Sequence, residues 1–171
     1  SYEFMVINSD GIVQDEGVRD DDGSPEAFFF NSSMQQAYYF FETATIGGES
    51  LAEEDWIGAF NGNVCVGARK WGDCYGVFCD VPVLGYDGTE FTTGYMMLGE
   101  IPSFKIYDAS ESEYLDAVAS DDIPWNNGGF PMLDNLQNTV SGCTDADACN
   151  YDDTANIDDG SCLENDCAGD C

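Results

Sequence analysis

Between Phe28 and Val140 the apolar residues come only in short pieces: AFFF, QAYYFFETATI, DWIGAF, VCVGARKW, TTGYMML, SFKIYDA and EYLDAVA. Each is bounded by a turn signal such as GG, NGN, YDGTE, LGEIP or DASES. None keeps a helical period beyond two turns, and strand formers dominate. Short strands cannot bury both faces alone, so they must pair and stack. The pattern predicts an all-β fold, a jelly-roll-like or immunoglobulin-like sandwich of two sheets over residues 28–140. AFNGNVCVG predicts the clearest hairpin, with Asn61-Gly62 as a type I′ turn. IPWNNGGFPMLDNL predicts a turn that returns Phe130, Met132, Leu133 and Leu136 to the core. WGDCYGVFCDVP predicts an excursion between strands, stapled by Cys74 and Cys79, which are close enough in sequence to bond.

Residues 1–27 differ. SYEFMVI has strand alternation, with Tyr2, Phe4 and Val6 on one face. An acidic, Gly-bearing stretch that reads as a linker then separates it from the rest of the chain. Such a detached strand can pair far away in sequence, or with another molecule.

The charge limits the partners. Thirty-four acids face four bases, a formal net charge of −30. Nucleic acid and anionic membranes are repelled by such a surface, whereas divalent cations, basic partners or a salty medium complement it. No apolar run approaches the roughly 20 residues of a membrane-spanning helix. Eight cysteines and no histidine, with no C-x-x-C spacing, favour disulfides over zinc, and disulfides belong outside the cell. No signal peptide is visible; Ser1 follows one already removed, or the chain is a piece of something longer. Asn31, in N-S-S, is a candidate glycosylation acceptor. A catalytic site built on Ser-His-Asp or Cys-His is excluded by the absence of histidine. Enzymatic activity is not expected.

Residues 141–171 carry nine acids, five cysteines and almost no large apolar side chains. They cannot fold by hydrophobic burial alone, so covalent links or bound cations must replace the missing core. Asp145, Asp147, Asp152, Asp153, Asp158 and Asp159, with Asn150 and Asn156 among them, supply the oxygens that Ca²⁺ accepts in irregular loops. The spacing is not that of an EF-hand.

GCTDADACNYDDTANIDDGSC, residues 142–162, resembles the G-C-T-D-x-x-A-x-N-Y-x-x-x-A-x-x-D-D-G-S-C repeat of large secreted and surface proteins of aquatic microbes. AYYFFETATIGGESLAEEDWIGAFNGNVCVGARKW and FKIYDASESEYLDA resemble a β-sandwich module that precedes such repeats. Together the resemblances cover residues 28–171. Such modules are similar to subunits of extracellular fibrils whose jelly-roll domains are lined by bound calcium. The resemblance implies Asp145, Asn150, Asp152, Asp158 and Asp159 as Ca²⁺ ligands, with Asp147 as an addition. It implies Cys143–Cys162 as the framework pair. Cys149 departs from commoner versions and leaves Cys65, Cys149, Cys167 and Cys171 without assigned partners. Asp20, Asp21 and Asp22 form a second candidate cation cluster in the linker.

Two functions follow as expectations. The first is a structural subunit of a calcium-stabilised extracellular fibril or surface layer, joined to copies of itself by strand addition. Either SYEFMVI or the C-terminal tail is the donor. The second is a calcium-dependent carbohydrate-binding or adhesion module using exposed aromatics. Trp71 and Trp125, beside turns, are its candidate sugar contacts, whereas Trp56 inside DWIGAF suits the core better. Two tryptophans exposed on one face favour the second function; a buried trio favours the first.

Overall fold

The computed structural model describes residues 23–163, and the chain is all-β. Among the described residues ten strands run in order: β1 (Gln35–Ile46), β2 (Glu49–Ser50), β3 (Trp56–Asn61), β4 (Val64–Lys70), β5 (Cys79–Gly85), β6 (Ser103–Asp108), β7 (Glu113–Ala119), β8 (Met132–Asn138), β9 (Ser141–Gly142) and β10 (Ile157–Asp158). The first eight form one sheet in the order β2-β1-β8-β7-β6-β3-β4, with β5 also on β1. β9 and β10 make a separate two-stranded parallel ladder. The layers expected of two sheets are therefore parts of one sheet that curls around a single core.

β1 is the hub because it is long enough to serve three partners. Its first half pairs antiparallel with β5, from Gln35↔Gly85 to Phe41↔Cys79. Its second half pairs in parallel with β8, from Phe40↔Met132 to Thr45↔Gln137. Its end turns through Gly47-Gly48 into β2. Ala37, Tyr39 and Phe41 point inward, and then the inward position shifts to Ala44. β8 shifts with it, from Leu133 to Leu136. The two strands change face together, so the apolar side stays on the core through the bend.

The curl brings β4 against β5 without a ladder between them. Pro82 lies opposite Tyr38 of β1. Lacking an N–H, it cannot belong to a doubly hydrogen-bonded pair, so its carbonyl turns away from β1 and toward β4. Gly67 receives it there: a β-carbon at Gly67 would sit 1.9 Å from the Pro82 carbonyl oxygen. The Arg69 guanidinium crosses the same seam, donating from Nε to the Asp80 carbonyl at 2.9 Å and pairing with the Asp80 carboxylate. A proline, a glycine and one ion pair thus close the sheet on itself.

The core runs through Phe41, Ile57, Val66, Val81, Met96, Ile106 and Leu136. β3 is buried on both sides. Its outer side is covered by Phe28, whose ring lies where a β-carbon on Gly58 would fall. Phe28 also makes edge contacts with Phe60 and Tyr114. The segment AFFF is thus not a strand. A single 3₁₀ turn over Glu26–Phe28, entered from Pro25, delivers that ring.

Other expectations shift. The β3–β4 turn is Gly62-Asn63, since Asn61 pairs with Val64. Gly62 has φ +59° and Asn63 has no positive φ. Glycine first with a normal second residue is the II′ arrangement, not I′. TTGYMML is not a strand either. A 3₁₀ turn at Glu90–Thr92 and Gly94 and Gly99 at positive φ break it, leaving one bridge from Met96 to Gly85. CDVP, expected as the end of the excursion WGDCYGVFCDVP, instead begins the core strand β5, CDVPVLG. Leu133 and Leu136 are buried as expected, but Phe130 is 66% exposed and Met132 lies outside. Both belong to the outer face, where Phe130 stacks on Tyr38.

Candidate functional site

The C-terminal module begins where β8 ends, and amide side chains attach it. Asn156 Oδ1 accepts the Val140 N–H at 2.8 Å, and Asn156 Nδ2 donates to the Asn138 carbonyl at 2.6 Å. Backbone N–H groups of Asn156 and Ile157 both reach the Val140 carbonyl. Asp152 N–H donates to the Cys143 carbonyl, and Asp159 N–H to that of Gly142. Gly142 fits because a β-carbon there would meet Ala155 and Asp152. Cys143 and Cys162 are bonded, as the repeat implied. Cys74 and Cys79 are bonded too. Cys149 is likewise in a disulfide. Cys65 is a buried free thiol, its pKa pushed up to about 11 by burial. Cys167 and Cys171 lie outside the described residues.

The aspartates act first as loop caps. Asp145 Oδ1 accepts the Asp147 N–H at 3.0 Å. Asp152 Oδ1 accepts both the N–H and the hydroxyl of Thr154. Asp158 and Asp159 accept the N–H groups of Gly160 and Ser161. Aspartate bonded to the backbone two residues on is a turn in its own right, and it explains how so polar a segment holds a shape. The Thr154 hydroxyl holds the Asp152 carboxyl below the usual carboxylate range, and Ser161 does the same for Asp159. Both favour the ionised form, so their support is present above the ordinary carboxylate pKa and is lost as pH falls through the lowered one.

Asn150 is a clamp: its Nδ2 donates to the Ser161 carbonyl and its Oδ1 accepts the Leu163 N–H at 2.7 Å. Among the described residues no three acidic or cysteine side chains gather into a group that could hold a metal ion. The donor chemistry suits Ca²⁺, but the arrangement is a string of separate turns and not a cage. Each capping aspartate uses one oxygen, Oδ1, in its turn, and Asp145, Asp147, Asp158 and Asp159 are exposed. Asp20, Asp21 and Asp22, and SYEFMVI with them, fall outside the described residues.

The tryptophans do not form a sugar platform. Trp125 is 4% exposed and donates from Nε1 to the Val83 carbonyl at 2.9 Å. Trp56 is buried, and half-buried Trp71 packs on the main core. Burial of Trp125 in this way removes it as a sugar contact; its position beside a turn hid that the turn folds back over β5. Asn31 is half-buried and its Nδ2 donates to the Phe91 carbonyl at 3.1 Å.

Sequence reasoning missed three polar anchors. Asp55 is buried, and its two oxygens accept the N–H groups of Ala52 and Ala109, tying two loops together. Asp87 collects the Thr92 and Thr89 hydroxyls and the Met34 N–H, which holds its carboxyl far below the usual range. Asn138, 9% exposed, accepts the Gly47 N–H across the end of β1. Each makes one contact far away in sequence, Asp55 with Ala109, Asp87 with Met34 and Asn138 with Gly47, which no local pattern records. No helix of the described residues is long and apolar enough to cross a membrane.

No family model matches the chain, and neither a curated protein nor a solved structure matches it.

Proposed function

We propose that this protein is a structural subunit of an extracellular fibril or surface layer, in which divalent cations, Ca²⁺ foremost, bridge neighbouring copies. One observation carries the reading. The three basic side chains among the described residues are already paired: Arg69 with Asp80, Lys70 with Glu54 and Lys105 with Asp116. Among the described residues the remaining acids therefore have no basic side chain left to pair with. Two copies brought within a Debye length, about 8 Å at physiological ionic strength, repel unless something positive lies between them. Exposed carboxylates that each cap a turn through one oxygen are suited to share an ion across a contact.

Strand addition supplies the direction of growth. A donor strand from SYEFMVI or the C-terminal tail, entering a neighbour's sheet, makes a head-to-tail contact that propagates unless it closes as a ring. The disulfides suit an oxidising location outside the cell. No catalytic step belongs to this reading.

Sedimentation velocity of the full chain tests it. In millimolar CaCl₂ large assemblies are expected, and in excess chelator at matched ionic strength they disperse. Addition of NaCl alone does not replace calcium. A single monomeric species in both conditions overturns the proposal.

A further inference from the structure

The outer face of β1 and β8 carries an aromatic group in the open. Phe130 is 66% exposed and stacks on Tyr38, with ring centroids 6.5 Å apart and planes 8° off parallel. Phe40 leans on the same Phe130 ring at 6.3 Å, and Met132 lies opposite Phe40 in the β1–β8 register. Exposed apolar groups rimmed by polar residues mark interaction surfaces.

The rim is acidic. Glu42 and Asp134 each follow an inward residue, Phe41 and Leu133, and both are exposed. Phe41 pairs with Leu133 and Thr43 with Asn135, so Glu42 sits opposite Asp134 on the next strand. Like charges directly across a sheet destabilise it. Neither carboxylate has a basic side chain among the described residues, because Arg69, Lys70 and Lys105 are held by Asp80, Glu54 and Asp116. Asp80, opposite Phe40 on the other flank, is thus already neutralised. The chain shows elsewhere what such a set of groups holds: Lys105 Nζ lies 5.9 Å from the Phe60 ring centroid while it pairs with Asp116. The outer face has the rings and the carboxylates of that arrangement but no basic side chain of its own.

Charge complementarity selects the partner. Ca²⁺ takes roughly six to eight oxygens, and the rings and Met132 supply none. An anion is repelled, and an apolar partner would bury two carboxylates unpaired. A guanidinium suits both halves: its plane stacks on a ring, and its fork of N–H donors reaches carboxylates. Arg19, the fourth base of the chain, is a poor source, since Asp15, Glu16, Asp20, Asp21 and Asp22 surround it in sequence and would meet the same acids. We propose that this face docks an arginine side chain from a basic segment of a different protein, stacked against Phe130 and bonded to Glu42 and Asp134. The contact is independent of the assembly reading.

Amide chemical-shift mapping on the full chain in excess chelator tests it. The probes are capped peptides of glycine alternating with arginine, with lysine or with glutamine, each at millimolar concentration. The arginine peptide is expected to shift residues 38–42 and 130–134 together, the lysine peptide less, and the glutamine peptide not at all. Phe130→Ala removes the stacking ring, and Asp134→Asn removes one of the opposed charges. Each is expected to weaken arginine binding roughly fivefold or more, with far-UV dichroism unchanged. In the free chain Asp134→Asn also relieves the like-charge pair, so its urea midpoint is expected to rise. Shifts spread over the whole acidic surface, equal shifts from the glutamine peptide, or unchanged affinity in both folded variants overturns the site. Loss of calcium-dependent assembly in folded Phe130→Ala would assign the face to a second copy and overturn it too. A chain that stays monomeric in calcium yet binds the arginine peptide here contradicts only the fibril reading.

Discussion

Replacing Cys143 and Cys162 together by serine is expected to unfold the C-terminal module and leave the sheet intact. The module has almost no apolar core. What orders it is a two-residue ladder between β9 and β10, the Asn156 clamp, the aspartate turns, the disulfide at Cys149 and this bond. The cysteines lie 19 residues apart, and closing a loop of that order removes about 3 kcal/mol of chain entropy from the unfolded segment. The remaining polar contacts are exposed or half-buried and net about 1 kcal/mol each. Hydrogen exchange followed by mass spectrometry reads this directly. Amides across residues 141–163 lose protection in the double variant, while those of β1, β3 and β6 keep theirs. Retained protection across the module would mean that the aspartate turns and the Cys149 disulfide hold it without the bond.

The second large effect belongs to Trp125. Its indole closes the open end of the core over β5, with the ring where a β-carbon on Gly85 would fall. Its N–H satisfies the Val83 carbonyl, and its backbone ties to Glu100 and Gly99. Trp125→Ala therefore opens a cavity and orphans a carbonyl. The expected loss is about 3–5 kcal/mol, read as a lower urea midpoint with unchanged slope. Trp125→Phe keeps most of the apolar volume and should lose far less. A loss below about 1 kcal/mol for the alanine variant would mean that the loop at 121–131 packs without its anchor.

These two sites show what the sequence made legible. The stapled, coreless module was readable because its composition excludes hydrophobic folding, leaving cysteines and aspartates as the means of holding it. The all-β class was readable because alternation and turn residues are local. Pairing was not: β1 joins β8 in parallel across roughly ninety residues of chain, and no local signal records that. Trp125 and Phe130 exchanged roles for the same reason, since a loop's inward side is fixed by what it folds over. CDVPVLG was hidden by the disulfide beside it, although Val81 and Val83 alternate clearly. At the module, residue types pointed to oxygen ligands, but their backbone partners decide that these aspartates cap turns. Asn138 and Asn156 became visible only once β8 and the loop met.

Electron microscopy of the native material with and without a calcium chelator tests calcium bridging between copies without an intermediate step. A calcium-bridged polymer gives filaments or sheets that fray and fall apart when the divalent cations are withdrawn. Particles that are monomeric in both conditions, or filaments indifferent to strong chelation, would contradict it.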